Sequence, residues 1–259
     1  MNIALLFVLA ATAAVVFATT GVWLGRHFMR GRVDKGHHEV LATLFQTGGT
    51  LHAVFLAFLV VAVWESYNAA HANVADEASA LTTLYRESAG MESGMGKELR
   101  RLIRDYTDAV VRDEWRIQAE TGGASPKARA AGLDMYRLFA REKPATKQSD
   151  SAIDEAALAI ISQIQSDRNR RTLAAEASLP PIMWFAAIGS GAIVLSMSFF
   201  LFMEQAAPQM IVTSIMTSTV ALLLCIAFVL SHPFAGPMAL NPEPFKHAIE
   251  VYDSVDATP

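Results

Sequence analysis

The residue whose setting most suggests chemistry is His52, which lies in the 18 positions from Thr47 to Trp64 that carry no Asp, Glu, Lys or Arg. Hydrocarbon penalises a polar group, so an ionisable residue in such a run faces a bundle interior or a wet cavity. On a helix His52, Phe55, Leu59, Ala62 and Ser66 share one face at three- and four-residue spacing. An imidazole beside aromatic and aliphatic side chains suits a pore lining whose narrow apolar neck gates by dewetting. The competing reading is a hydrogen bond from His52 across a bundle, with Phe55 in the core and Trp64 and Tyr67 as interfacial anchors.

Further along the same helical pattern stand Asp76, Glu77 and Arg86. In a symmetric oligomer they would form charged rings in a vestibule, the carboxylates attracting cations and Arg86 attracting anions. Ion pairing within or between subunits is the alternative. Arg168, Arg170 and Arg171 make a basic cluster suited to anionic lipid head groups or to a solvated face. His232, Pro233, Phe234 and Gly236 read as a membrane-exit cap: Pro233 ends a helix, Phe234 tucks back, and Gly236 permits a sharp turn. His232, near a carboxylate-rich tail, is also a candidate titratable site. His37-His38-Glu39 could chelate a metal, but adjacent histidines on a helix diverge, so a solvated connection is the better reading.

The lone Cys225 excludes an internal disulfide and a multi-cysteine metal site. No phosphate-binding loop, dinucleotide fingerprint, zincin motif or nucleophile elbow occurs. The expectation is a protein that is not an enzyme and has no cofactor and no metal site. A net charge of −4 and a nearly balanced segment 66–180, with 16 basic against 17 acidic residues, argue against nucleic acid as a partner.

These residues are positioned by long apolar runs. Ile3–Leu24, Thr47–Trp64, Pro181–Met203 and Gln205–Leu230 contain no charged residue over 22, 18, 23 and 26 positions. A spanning helix needs roughly 20 apolar residues, so the chain reads as four transmembrane helices in two pairs. The first run is too long for a signal-peptide core and is followed by Arg26, His27, Arg30 and Arg32, which favours a retained span. Gly48 and Gly49 before the second span permit either close approach or a break. That span is expected to continue as one helix of about 40 residues, since Tyr67, Ala70, Val74, Leu81 and Leu84 keep helical spacing and Trp64–Ser88 contains no Gly or Pro.

After Gly90, Gly94 and Gly96, the stripe Leu99, Leu102, Ile103, Tyr106, Val110 and Ile117 predicts a further helix. Ser125 followed by Pro126 looks like an N-cap, and the next short helix ends near Pro144. Ser149 or Asp150 caps a helix whose stripe is Ile153, Ala157, Ile160 and Ile164. Pro180 and Pro181 mark return to the membrane, and Glu204–Pro208 is a hairpin turn. The reading is an all-α integral membrane protein: helix pair 1–66, mostly helical polar domain 67–180 formed by extensions of the spans, helix pair 181–231, and an irregular tail 232–259. Weak Lys/Arg bias places the polar domain and C-terminus in the cytoplasm.

Phe55-Leu56-Ala57-Phe58, Val63-Trp64-Glu65, Asp76-Glu77-Ala78, Leu84-Tyr85-Arg86, Tyr106, Glu114-Trp115, Arg170-Arg171, Leu179-Pro180, Trp184 and His232-Pro233-Phe234 with Gly236 occur in that order. In this the chain resembles the bacterial bestrophin-like family of unknown function. The resemblance covers most of the chain. It implies two N-terminal spans, a helical cytoplasmic region, two further spans and a pore lined by the second span, in the bacterial inner membrane. Phe55, Leu59 and Ala62 would be the neck, with the vestibule beyond Glu65; no acidic calcium clasp of the eukaryotic kind is present. The expected function is an oligomeric ion channel or passive conduit, pentameric or tetrameric, with the lipid bilayer and an inorganic ion as partners. The alternative is a non-conducting scaffold or sensor whose helical domain binds a protein.

Overall fold

The computed structural model describes residues 3–29, 35–91, 93–141, 148–176 and 179–257. Arg30, Arg32 and Pro144 lie outside the described residues, as do the side chains of His37, Ser149 and Asp150. The helices are α1 (Ile3–Met29), α2 (Lys35–Glu87), α3 (Ser93–Ala109), α4 (Trp115–Thr121), α5 (Pro126–Arg141), α6 (Gln148–Glu176), α7 (Pro181–Ser198), α8 (Ala206–Leu230) and α9 (Glu243–Asp256). No strand occurs among the described residues. Among the described residues four helices, α1, α2, α7 and α8, are long and apolar enough to cross a membrane. The chain divides into a membrane unit, Met1–Glu65 with Ser178–Ser231, and a polar unit, Ser66–Ala177 with His232–Pro259.

The membrane unit inverts the pattern of a water-soluble bundle. Val8, Phe58, Phe185, Ile188, Ile211 and Ile215 are exposed, whereas His52, Ser198, Gln209, Thr213 and Thr217 are buried. Lipid tails solvate apolar side chains, so tight packing of small and polar groups is what joins the helices. On α1, Gly21 and Gly25 create the groove in which Phe199 lies. An added Cβ at Gly25 would sit 2.7 Å from the Phe199 carbonyl oxygen, and one at Gly21 would overlap the Phe199 ring. At the end of α1, the Arg26 guanidinium donates to the Met203 carbonyl at 3.0 Å, the Glu204 carbonyl at 3.3 Å and the Gln209 side-chain oxygen at 2.8 Å. It thereby satisfies carbonyls of the α7–α8 turn that no helix continues to serve.

α2 is longer than the sequence pattern suggests, 53 residues without interruption. Gly48 and Gly49 do not break it; they admit α7, with Val194 at 3.3 Å and 3.9 Å from where their Cβ atoms would stand.

In the polar unit, α3 and α4 are joined through a π-helical turn, Val110–Glu114. Tyr106, Val110, Glu114 and Gln118, each four residues apart, are all buried. At 3.6 residues per turn this spacing drifts by about 40° at each step; the wider π turn keeps the four in line. Ile117, expected on the apolar stripe, is only half-buried, because the inserted residue turns Gln118 inward instead. Ser125 caps α5 as its sequence suggests, its hydroxyl accepting from the Ala128 amide at 3.4 Å. On α6 the buried stripe is Ala157, Ile161, Ile164, Arg168 and Arg171, while Ile153 is exposed and Ile160 half-buried.

The tail expected to be irregular carries a regular helix, α9 over Glu243–Asp256, after a run of turns through residues 232–242. Pro244 occupies the first turn of α9, where a missing amide proton is no loss, and Phe245, Ala248 and Tyr252 bury one face of this helix in the polar unit.

The glycine groove yields a prediction. Gly25→Val should destabilise the membrane unit by about 1–3 kcal/mol, because the colliding atom is backbone. A lowered thermal midpoint in detergent, with helicity intact below it, is the expected measurement.

Candidate functional site

The second span packs inside the subunit through His52, Leu56, Leu59 and Val63, all buried. Leu59 is only 1% exposed, so it and His52 leave the set of pore-lining residues that spacing alone suggested. Phe55 is half-buried, whereas Leu51, Phe58, Ala62, Glu65 and Ser66 are exposed, Phe58 to 71%. The expected face is therefore rotated by about one residue, 100° around the helix. The cause is the near-uniform apolarity of the span. With no polar side to mark, only Gly48, Gly49 and the packing partners on α7 select the inner face.

The charged residues of the polar unit divide sharply. Asp76 and Arg86 are exposed. Glu77 is fully buried and is not a vestibule carboxylate. Arg171 donates to it through Nε at 2.7 Å and Nη2 at 3.1 Å, and the Tyr106 hydroxyl donates at 2.6 Å. The same guanidinium reaches Glu114 at 2.9 Å and the Gln118 side-chain oxygen at 2.9 Å. Glu114 accepts from Arg168 at 2.6 Å and from the Ser125 amide at 2.9 Å. Trp115 and Phe245 each face the Arg171 guanidinium at 5.6 Å. Two carboxylates and two guanidiniums thus neutralise one another out of contact with water. Arg168 and Arg171 are interior groups and not lipid ligands; only Arg170 is exposed, because it points away on α6.

Burial and the adjacent Glu77 push the Tyr106 phenol well above its ordinary range, so it remains a donor. Burial alone would weaken the charge on Arg171, but Glu77 and Glu114 outweigh it and hold the guanidinium protonated.

A second cluster fastens α9. The Tyr85 hydroxyl donates to Asp256 at 2.6 Å and accepts from Arg104 at 2.9 Å. Arg104 also reaches Asp253 and Asp256, each at 2.9 Å, and Arg100 reaches Asp256 at 3.3 Å. The Tyr85 and Tyr252 rings stack at 4.2 Å. The hydrogen bond from Tyr85, then Arg104, hold the Asp256 carboxyl below its usual range, while burial and then Asp256 push the Tyr85 phenol up.

Residues 232–236, expected to cap a membrane exit, lie in a turn. The Leu240 amide donates to the Pro233 carbonyl at 2.8 Å, and Gly236 adopts φ +86°. Phe234, however, packs on Trp115 at 5.6 Å in the polar unit. His232 is half-buried and its carbonyl accepts from the Ala235 amide at 3.2 Å. No group of three or more metal-ligating side chains occurs among the described residues.

Sequence reasoning missed the exposure of Phe58 and the buried polar contacts of Glu114 and Gln118. The four-residue rhythm from Tyr106 to Gln118 was a usable signal for the latter two, but a π turn is needed to interpret it.

A family model described as Bestrophin-like domain matches residues 12–245. A crystal structure of a bacterial bestrophin homologue from Klebsiella pneumoniae, carrying one substitution, aligns with TM-score 0.72 at 12% identity over 100% of both chains. A second crystal structure, described as a membrane protein, aligns with TM-score 0.73 at 13% identity, covering 97% of this chain and 99% of the other. At such identities the likeness concerns the fold. No curated protein matches the chain by sequence.

Two outcomes follow from the charge clusters. Arg171→Met should cost about 3–5 kcal/mol by leaving Glu77 and Glu114 buried without their cation, and Arg171→Lys should recover only part, since lysine lacks the fork. Thermal unfolding in detergent measures both. For Asp256, whose folded value is depressed, the stabilisation is present above the ordinary carboxylate value of about 3.9 and is lost as pH falls through the depressed value. Amide protection in α9, corrected for the intrinsic exchange rate at each pH, should therefore fall on acidification through the depressed value, while Asp256→Asn should show low protection on both sides of it.

Proposed function

This chain belongs to the bestrophin-like family, and on that premise we propose that it is an oligomeric ion conduit whose pore is lined by the exposed face of α2 in the membrane unit. The observation that carries the reading is the division of α2 into a buried stripe, His52, Leu56, Leu59 and Val63, and a broad exposed side that includes Leu51, Val54, Phe58, Ala62 and Glu65, with Phe55 half-buried at its edge. In a ring of four or five subunits the outer faces surround the symmetry axis, Phe58 supplies the apolar neck, and Glu65 and Ser66 follow it. A narrow ring of aromatic side chains dewets when closed and conducts when the subunits separate slightly.

Asp76 and Arg86, exposed further along α2, remain candidates for ion contact in the vestibule. The orientation that fits best puts the polar unit and C-terminus in the cytoplasm of a bacterium, with the spans in its inner membrane. The α7–α8 turn then faces outward; Glu204–Pro208 contains no Lys or Arg, and Arg26 beside it is engaged by turn carbonyls.

Currents from purified protein in planar bilayers under a salt gradient test the reading. Phe58→Ala should raise unitary conductance by about twofold or more, since it widens the neck. Leu59→Ala should cost about 2–4 kcal/mol of stability while unitary conductance stays unchanged, since Leu59 packs inside the subunit. A change at Leu59 but not at Phe58 would overturn the assigned face. Silence from folded oligomer across voltage, pH and calcium would overturn the conduit itself and leave the scaffold or sensor whose helical domain binds a protein.

A further inference from the structure

His52 is 6% exposed, and its two ring nitrogens have different fates. Nδ1 lies 2.9 Å from the Ser190 hydroxyl oxygen. That hydroxyl already donates to the Ala186 carbonyl at 2.6 Å. A hydroxyl has a single proton, so Nδ1 carries the hydrogen in this bond and Nε2 is the bare acceptor. Nε2 is sealed from solvent and has no hydrogen-bond partner among the described residues.

The Cε1–Nε2 edge faces Gly191 on α7. A Cβ at that position would stand 3.1 Å from Cε1 and 3.2 Å from Nε2, and the nearest α8 atom to it is Val220 Cγ1 at 3.7 Å. The glycine admits the ring close against the α7 backbone. Nothing packed there can share a positive charge: α7 carries no titratable side chain, and the single titratable group on α8, Cys225, lies five residues beyond Val220. On α2 itself the nearest charged residues in sequence are Glu39 and Glu65, each thirteen positions away. Beside the contact runs a groove of about 600 Å³ lined by His52, Ala53, Leu56, Val60, Met216 and Thr219, with space for the ring to swing.

We propose that the α2–α7 contact at His52 is a proton-operated latch, closed on the neutral imidazole and released when Nε2 takes a proton. A proton from water would add an N–H donor and a unit charge at an edge that offers no acceptor. A buried donor without a partner and a buried charge without a counter-ion are both strongly unfavourable. The imidazolium therefore leaves the Gly191 notch for the groove, where the Thr219 hydroxyl oxygen, whose own proton goes to the Ile215 carbonyl, can accept its N–H, and α2 separates from α7. Because α2 also presents the proposed pore face, release of the latch reorients that face. This consequence rests on the conduit reading, whereas the movement itself does not.

Movement is measured without current. Full-length protein in lipid nanodiscs, with Cys225→Ser and spin labels at Ala57 on α2 and Ile188 on α7, is diluted among unlabelled subunits, and the distance between labels is followed from about pH 8 to about pH 5. The expected result is a lengthened distance in acid, a pH-independent distance in His52→Gln, and, in Gly191→Ala, a transition moved upward by about one pH unit or more, because the added methyl crowds the ring out. A distance that ignores pH in the parent protein, or that shifts equally in His52→Gln, overturns the proposal. An unmoved transition in Gly191→Ala overturns the role of the notch, even where His52→Gln fails to fold. If the distance changes as expected while bilayers stay silent, the latch stands and the conduit falls.

Discussion

The polar unit depends on one arrangement of charge: Arg171 lies at 0% exposure between Glu77 and Glu114. Each of these residues comes from a different helix, α6, α2 and the π turn before α4. A buried guanidinium requires acceptors for its fork, and a buried carboxylate requires donors, so none of the three helices can shift without stranding a charge. The π turn follows from this requirement, since it brings both Glu114 and Gln118 to the same side as Tyr106. Such a network is weak evidence for stability but a strong specifier of register, because hydrophobic packing alone tolerates sliding.

The membrane unit solves the opposite problem. Its surroundings are apolar, so hydrophobicity does not distinguish inside from outside, and close approach does. Gly21 and Gly25 receive Phe199, Gly48 and Gly49 receive Val194, and Gly191 receives His52. Polar side chains are drawn inward for the same reason: Gln209 donates to the Ser198 and Phe199 carbonyls at 3.4 Å, and Thr217 donates to the Thr213 carbonyl at 2.8 Å. The exposed face of α2 is what this packing leaves over.

Several elements that identify the family have structural duties. Glu77, Tyr106, Glu114, Trp115 and Arg171 are the charge core and its ring lining, and Phe234 packs on Trp115. The motifs legible in the sequence therefore describe how the polar unit holds together. They say little about the membrane-spanning part of α2, whose exposed side chains include Leu51, Phe58 and Ala62.

The all-α class, the four spans, the cap at Ser125 and the turn at Gly236 were determined by the sequence alone. Each depends on local quantities: the length of an apolar run, a hydroxyl before a proline, a glycine free to adopt positive φ. The tertiary structure decided the rest. Glu77 and Asp76 are adjacent carboxylates with the same local chemistry, yet one is sealed against Arg171, 94 residues away, and the other is exposed. Leu59 and Phe58 are adjacent apolar residues in a uniformly apolar helix, and only the position of α7 and its glycines separates packed side chain from exposed one. The tail's prolines suggested an irregular segment, but it contains α9, held by Tyr85, Arg100 and Arg104, whose shared partner Asp256 lies 171, 156 and 152 residues away. Long-range partners are invisible to a local pattern, because periodicity records that a face is apolar and not which neighbour will cover it.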